Sequence, residues 1–297
     1  MNTYESVMRK ENSEGRCYPV KVRRDYFQYY VRGTVGWHWH DELEFAVVLS
    51  GDVVFDINET SILLTAGDGI FINSGYLHRA VMREENSKSL LFSITFPATV
   101  LAPSDSYIYE QYILPFLADK KLCGFSLSKD TDWQKNMLAK LNSIYALDSH
   151  PRFASELQMQ TLLGEVWYIL LQHKQQLHKI AAPSLEKKKS EERIKKMLTY
   201  IQENYPKEIT VPLLSEEAGI SQSECFRCFS GILHKKPITY VNEYRIDRAM
   251  HLLTETRLPV SEICARCGFH HESYFGKWFR KSTGMTPGQY RKQENNR

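Results

Sequence analysis

Long apolar runs are missing from this 297-residue chain. No stretch approaches the ~18 apolar residues that a membrane-spanning helix requires, so no membrane partner is expected. The first sixteen residues, MNTYESVMRKENSEGR, are polar and mixed in charge. They lack the apolar core of a secretion signal, which makes a cytoplasmic protein the expectation. Glycine (15) and proline (11) are too scarce for a fibrous or low-complexity chain. Six cysteines are too few for a disulfide scaffold of this length, and in a cytosolic chain they are expected to stay reduced.

What is present is an ordinary globular balance, 42% hydrophobic and 25% charged, in a length that suits about two domains. A net charge of +3 hides an asymmetry. From Lys187 onward there are 20 basic and 13 acidic residues, and the rest of the chain is net negative. A polyanion partner for the C-terminal part follows as the expectation.

Residues from about 18 to 100 read as β structure. LEFAVVLSG, DVVFDIN, SILLTAGDG, IFINSG and LLFSITF are short runs rich in Val, Ile and Phe, broken by Gly, Asp, Asn and Ser. That spacing predicts a barrel or sandwich. From 105 to 180 helix formers dominate, with short helices near 107–120 and 132–147. A long helix follows, with Met159, Leu162, Leu163, Val166 and Leu170 on one stripe. Two uses of that stripe are open: packing on the barrel, or a dimer seam. AAPSLEKKKS at 181–190 reads as a linker, and the remainder as helical.

The C-terminal part repeats itself after about fifty residues. VPLLSEEAGISQSECFRCFSGILHKKPITYV is the first copy and VSEICARCGFHHESYFGKWFRKSTGMTPGQYR the second. Leu214 aligns with Ile263 and Gly219 with Gly268. After one inserted residue, Cys225 aligns with Phe275, Arg227 with Lys277 and Phe229 with Phe279. Each copy reads as a helix-turn-helix. A short helix ends at the glycine, and a second helix starts at a polar cap. The free face of that second helix carries Ser221, Gln222, Ser223 and Arg227 in the first copy. In the second it carries His271, Glu272, Ser273 and Lys277. Short polar residues with one long cation fit a DNA major groove. A helix between the copies, with Val241, Tyr244, Ile246, Ala249, Leu252 and Leu253 buried, would hold the two second helices about one DNA turn, ~34 Å, apart.

Over about Ile194–Arg291 the chain resembles the AraC/XylS family of bacterial transcription regulators. Tyr200-Ile201, Asn204-Tyr205, Gly219-Ile220-Ser221, Arg245, Gly268-Phe269, Ser273-Tyr274-Phe275, Phe279-Arg280-Lys281, Thr286-Pro287 and Tyr290-Arg291 carry the resemblance. It implies a two-headed DNA-binding module and, through the family, activation with RNA polymerase as a partner. The first copy departs from the family pattern, with Glu224-Cys225-Phe226 where an aromatic pair usually precedes the recognition arginine.

In the β region, His38-x-His40 is followed by Glu44 and Gly51, and downstream by Gly67, Asn73, Gly75 and His78. Residues i and i+2 of a strand share a face, so His38 and His40 can converge, with His78 from another strand. The spacing resembles the two motifs of the cupin barrel, with Asn73 and Met82 as departures from the second. His38, His40, Glu44, Tyr76 and His78 are the candidate ligand-binding residues. His38, His40, Glu44 and His78 are also a candidate metal set, suited to Zn, Fe, Mn or Ni. Trp37, Trp39, Phe45, Phe55 and Phe71 offer aromatic faces that suit a carbohydrate, or are simply core. Cys225/Cys228 and Cys264/Cys267 have zinc-like spacing. They fall at non-equivalent places in the repeat, which favours packing.

The fold expected is α+β and multidomain. A cupin-like effector-binding domain occupies 1–104, a helical dimerisation segment 105–180, a linker 181–190, and an all-α double helix-turn-helix domain 191–297. The expected function is a sequence-specific transcriptional regulator, an activator by family, not an enzyme. It would work as a homodimer with double-stranded DNA and a small-molecule effector, with a carbohydrate favoured, and without a cofactor. The alternative is a metal-dependent cupin enzyme or metal sensor fused to a DNA-binding module, with a metal ion in the His/Glu site.

Overall fold

The computed structural model describes residues 18–58, 60–84, 88–119, 122–177, 179–180 and 185–295. Cys17 lies outside them. The chain divides into two compact units, Met1–Tyr29 with Gly33–Ala182 and Tyr30–Arg32 with Pro183–Arg297.

The first unit holds two antiparallel sheets. One contains β1 (Lys21–Tyr26), β3 (Leu43–Ser50), β6 (Gly69–Ile72), β8 (Leu90–Phe96), β9 (Gly124–Leu127) and β10 (Lys179–Ile180), in the order β1-β8-β3-β6-β9-β10. The other contains β2 (Thr34–His38), β4 (Asp52–Ile57), β5 (Thr60–Thr65) and β7 (His78–Met82), in the order β2-β7-β4-β5. The first six residues of β3 are all buried, because both faces of that strand are covered. Leu43, Phe45 and Val47 face a core shared with α2 (Asp132–Ser149) and α3 (Ser155–Gln172). Alternation turns Glu44, Ala46 and Val48 the other way, toward the second sheet.

The helix-facing core is aromatic. Phe71 stacks on Phe125 at 5.0 Å and meets Phe45 at 4.9 Å, and Phe116 meets Trp167 edge-on at 4.9 Å. Phe45 and Phe71 are therefore core residues and no carbohydrate platform. The stripe Met159, Leu163, Val166 and Leu170 lies in this same core, with Leu162 packed against it. Of the two uses open to the stripe, the barrel takes it. The other side of α3 remains exposed, with Leu157 and Tyr168 on it.

Segment 105–180 is not helical throughout. The helix expected at 107–120 is present over 107–117, widened to a π turn at Tyr109–Ile113 before α1 (Leu114–Leu117). β9 and β10 extend the larger sheet, and α3 ends at Gln172. A four-residue apolar run such as Gly124–Leu127 has too few residues to show a period. Packing decides its state: a side chain on Gly124 would meet the Phe71 carbonyl at 2.3 Å.

The second unit is all helix: α4 (Leu185–Asn204), α5 (Val211–Glu217), α6 (Gln222–Cys228), α7 (Pro237–Glu255), α8 (Val260–Arg266), α9 (Glu272–Thr283) and α10 (Pro287–Asn295). Six residues of the segment expected as a linker, 185–190, lie in α4. The repeat is visible in the hydrogen bonds. After α5, Gly219 N–H donates to Glu216 O and Ile220 N–H to Ser215 O. After α8, Gly268 N–H donates to Ala265 O and Phe269 N–H to Cys264 O. Both glycines sit at positive φ, 64° and 79°, where a side chain costs about 1–2 kcal/mol.

Gly268 carries a second constraint. A Cβ there would lie 2.4 Å from Tyr205 O and 2.9 Å from Pro206 O, whereas Gly219 has open space. Gly219→Ala is expected to cost about 1 kcal/mol and Gly268→Ala about 3 kcal/mol or more, since backbone must move. Urea midpoints of the full chain, followed by helical circular dichroism, check this. Equal costs would show that φ alone matters at both turns.

Candidate nucleic-acid interface and barrel centre

Two surfaces deserve chemistry: the faces of α6 and α9, and the point where the two sheets meet around Glu44.

α6 is capped by Ser221, whose hydroxyl accepts from Glu224 N–H at 3.2 Å. Cys225, Cys228 and Phe229 bury its inner face. Ser221, Gln222, Ser223 and Arg227 are all exposed on the outer side. In the second copy His271 takes the cap position, Phe275 and Phe279 are buried, and His271, Glu272, Ser273 and Lys277 are exposed. All eight predicted contact residues are thus exposed. Beside α6 lies an open cleft of about 470 Å³ lined by Phe226, Ser230, His234, Lys235 and Lys236.

α7 fixes the two copies against each other. Arg245 donates from Nε to Tyr205 O at 2.8 Å and from Nη2 to Lys207 O at 2.7 Å. Its guanidinium also lies 5.7 Å from the Phe269 ring. Farther on, Arg291 of α10 donates to Leu258 O at 2.6 Å.

Two contacts were not visible as local pattern. Arg193 of α4 pairs with Glu224 at 2.9 Å, and Glu224 also pairs with Arg227. Asn242 Nδ2 donates to the exposed Tyr274 hydroxyl at 3.2 Å. The departure of Glu224 from the family pattern was the one signal available; Arg193 stands 31 residues away and gave none.

The four cysteines of the second unit are buried free thiols. Burial pushes Cys225 up to about 11 and Cys267 up to about 12, and raises Cys228 and Cys264. Such thiols stay protonated and unreactive. Among the described residues they do not come together as a metal-binding group.

His38, His40, Glu44 and His78 do come together. Their donor atoms all lie within 4.8 Å of one another. β2 pairs with β7 through a bulge between Val35 and His38, which brings His38 opposite His78. The loops are tied by Gly75 N–H donating to His40 O at 2.8 Å. Each imidazole offers Nδ1 to a carbonyl: His38 to Gly36 at 2.8 Å, His40 to Glu42 at 2.9 Å, His78 to Tyr76 at 2.9 Å. A carbonyl only accepts, so Nδ1 carries the proton and Nε2 is the metal-facing atom of the neutral ring; His40 Nε2 is meanwhile held by Glu44 Oε2 at 2.8 Å, a bond that needs the ring protonated on both nitrogens. Tyr76 thus reaches the site through its main chain.

The electrostatics follow from burial. Burial holds His38 well below its ordinary range, and His78 and Arg23 add to this. Arg23, which sequence reasoning missed, is itself paired with buried Asp25 at 3.1 Å. Burial also opposes a charge on His40, but the 2.8 Å bond and the attraction of Glu44 outweigh it and raise that pKa. Burial would lift Glu44 in turn; His40 and His78 beside it hold it well below the carboxylate range. His78 is 1% exposed, and its Nε2 faces Glu44 Oε2 at 3.4 Å with no closer partner. Three imidazoles, each aimed by its Nδ1 contact, and one carboxylate fit a divalent transition ion.

The departures in the second motif have structural uses. Asn73 is buried, donating from Nδ2 to Leu122 O at 3.0 Å and accepting from Ser74 N–H. Met82 packs over Gly33.

Comparisons with known proteins agree with both halves. A helix-turn-helix domain model matches residues 214–293 and a cupin domain model residues 26–94. A transcriptional regulator of the helix-turn-helix type from Bacillus subtilis (strain 168), YdeC, is 31% identical over 276 residues, 93% of this chain and 91% of that one. The chain belongs to the AraC/XylS family of transcriptional regulators. This regulator is also 23% identical to the transcriptional activator RhaR of Shigella dysenteriae, over 93% of this chain and 89% of that one. It is 23% identical to the melibiose operon regulatory protein of Escherichia coli (strain K12), over 86% and 83%. Its fold is similar to that of ToxT from Vibrio cholerae, with TM-score 0.50 and 12% identity over 92% of this chain and 98% of that one. Among the described residues no helix is long and apolar enough to cross a membrane.

The barrel cluster makes a sharp demand. Zn²⁺ or Mn²⁺ added to the chelator-treated full chain is expected to bind at one equivalent and to raise Tm. His78→Ala should lose affinity by at least the 10–100-fold that a supporting partner alone is worth. Affinity should also fall from pH 8 to pH 6, as His40 takes up a proton. Calorimetric titration and metal analysis read it; no uptake by the wild-type chain overturns the fit.

Proposed function

We propose that this regulator is a dimeric activator whose barrel binds a small effector and whose α6 and α9 read successive major grooves on one DNA face. The observation that carries the DNA reading is the pair of equivalent turns, each followed by a helix with a buried apolar side and an exposed polar side. Ser221, Gln222, Ser223 and Arg227 contact the first groove, and His271, Glu272, Ser273 and Lys277 the second. The net positive C-terminal part supplies phosphate attraction.

His38, His40, Glu44, Tyr76 and His78 form the effector site. A polar, oxygen-rich effector suits imidazoles and a carboxylate at the barrel centre, and a carbohydrate is the favoured class. The name of the melibiose operon regulatory protein supports a sugar. A ToxT structure of TM-score 0.50 holds an aryl butenoic acid instead, which keeps organic acids in the comparison. A metal-sensing reading is favoured by one specific observation, the convergence of four donor residues with the Nδ1 atoms of the three imidazoles capped. Either way the chain acts by binding rather than by catalysis, and the effector must bind two states of the chain unequally to switch it. Activation through RNA polymerase is what the family implies.

The dimer surface is the outward side of α3 with the segment before α1. Leu157 and Tyr168 are 65% and 63% exposed, and Ile108, Tyr112 and Leu114 are exposed as well. Trp167 Nε1 donates to Tyr112 O at 3.1 Å, which sets that segment beside α3. Exposed apolar residues in this number mark an association surface, and a second copy is the occupant that a paired promoter site requires.

Two experiments test the proposal. Log affinity for a promoter duplex should fall steeply with log salt concentration. Arg227→Ala and Lys277→Ala should each cost about 1–3 kcal/mol of specific binding. A flat salt response removes the DNA role. Separately, Leu157→Glu combined with Tyr168→Glu should turn a dimer into a monomer in sedimentation equilibrium without lowering Tm. A dimer that survives both charges uses another surface.

A further inference from the structure

The two reading helices differ at one equivalent position. Three residues before the cation, the second helix has Tyr274 and the first has Glu224. Tyr274 is held from α7 by Asn242, and its ring lies 6.1 Å from Phe269 and 6.4 Å from Trp278. It carries no charge with which to fix Lys277. Glu224 has the opposite character. Its side chain is 15% exposed, yet it joins two guanidiniums. Arg193 Nη1 donates to Oε1 at 2.9 Å, and Arg227 Nη2 donates to Oε2. Cys228 Sγ lies 3.8 Å from Oε1. Arg227 itself reaches out, with 78% of its side chain exposed.

We propose that Glu224, braced by Arg193, is a positioning residue that holds Arg227 in one orientation for bidentate contact with a guanine. The proposal rests on the reading of α6 as a base-reading helix. An exposed ion pair of helix neighbours is worth little, because two long side chains must be ordered to make it. Here the carboxylate is ordered already, by its own burial and by a cation from another helix. Only the arginine has to settle. Binding one guanidinium hydrogen leaves four N–H donors on Arg227, enough for O6 and N7 of guanine. The rotamer freedom of a free arginine, which would otherwise be lost on DNA, is reduced beforehand. The carboxylate also sets a negative charge near the phosphates. That lowers affinity for every sequence alike, while the fixed fork favours one base. Glu224 therefore exchanges general affinity for discrimination, and Arg193 limits the loss by leaving the trio net positive.

The test is in vitro selection of a randomised duplex pool by the full chain, followed by binding to the selected site and to single-base variants of it. Arg227→Ala should erase the preference at one position, and Lys277→Ala at a different position about one turn away. Glu224→Gln should weaken the preference at the Arg227 position by about tenfold and leave the Lys277 position unchanged. At the same time it should raise affinity for unrelated DNA. Arg193→Gln, on a different helix, should weaken the same position by less. Glu224→Tyr, which copies the residue at the second helix, gives a further variant should Gln disturb α6. If Glu224→Gln and Glu224→Tyr leave discrimination intact, or sharpen it while tightening the selected site, the carboxylate competes with DNA for Arg227 and the positioning role is overturned. If Arg227→Ala moves no position, the base-reading assignment of α6 fails instead.

Discussion

Much of the DNA-binding unit hangs on one guanidinium. Arg245 stands in the middle of the helix that joins the two copies, and it donates to the carbonyls of Tyr205 and Lys207, just past the end of α4. Carbonyls at a helix end have no partner within the helix and attract a cation. The same stretch of backbone crowds Gly268, so a side chain there has no room. One contact thus fixes where α4 ends, where α7 passes and how the turn of the second copy is seated. Burial opposes the charge on Arg245 and lowers its pKa, a cost that charge-assisted hydrogen bonds to two carbonyls offset. Two reading heads can face one DNA duplex only if their spacing is fixed, and this contact is part of what fixes it.

The barrel is governed by an analogous constraint, the register of β3. Glu44 pairs with Thr95 on one side and Ile72 on the other. Its neighbours Leu43 and Phe45 point into the aromatic core under the helices. A slip of one residue would drive the carboxylate into that core and a phenylalanine into the imidazole cluster. Neither face could tolerate the exchange, so the apolar side of the sheet enforces the geometry of the polar side. The His cluster is precise because a hydrophobic core on the far face holds its strand in place.

How far the amino-acid order alone reveals this depends on the range of each interaction. The two turns were legible because their causes are local: in both, a glycine at positive φ and an apolar position four residues past the helix cap, and in the first copy also a polar cap, Ser221, that accepts from the amide three residues on. The His38/His40/Glu44/His78 set was legible as a period-two pair with a turn, and the structure brings it together. The use of the α3 stripe was not legible, since packing on a barrel and packing on a second copy demand the same side chains. β9 and β10 were missed because four and two residues carry no period, and only a partner strand makes them β structure. The link from Arg193 to Glu224 crosses 31 residues and belongs to no repeat. The cysteines show the converse case. Their spacing suggests a metal, but helix geometry turns each pair inward, where burial keeps the thiols protonated.

The repeat itself then raises the question of why its halves are unequal. Equal heads would read equal half-sites, and where those are inverted the duplex site has no direction for one chain. Here the scaffold is shared down to the hydrogen bonds after α5 and α8, while the reading faces differ in cation, in its supporting group and in cap. Arg227 is tethered to a carboxylate; Lys277 stands beside a tyrosine held from α7. A planar, tethered guanidinium suits a demanding contact with one base, and a lysine with its compact charge suits a looser one or a phosphate. A rigid scaffold with one strict and one permissive head can lie on a non-palindromic site in only one sense. Orientation on DNA would then be set within a single chain, before any second copy joins it.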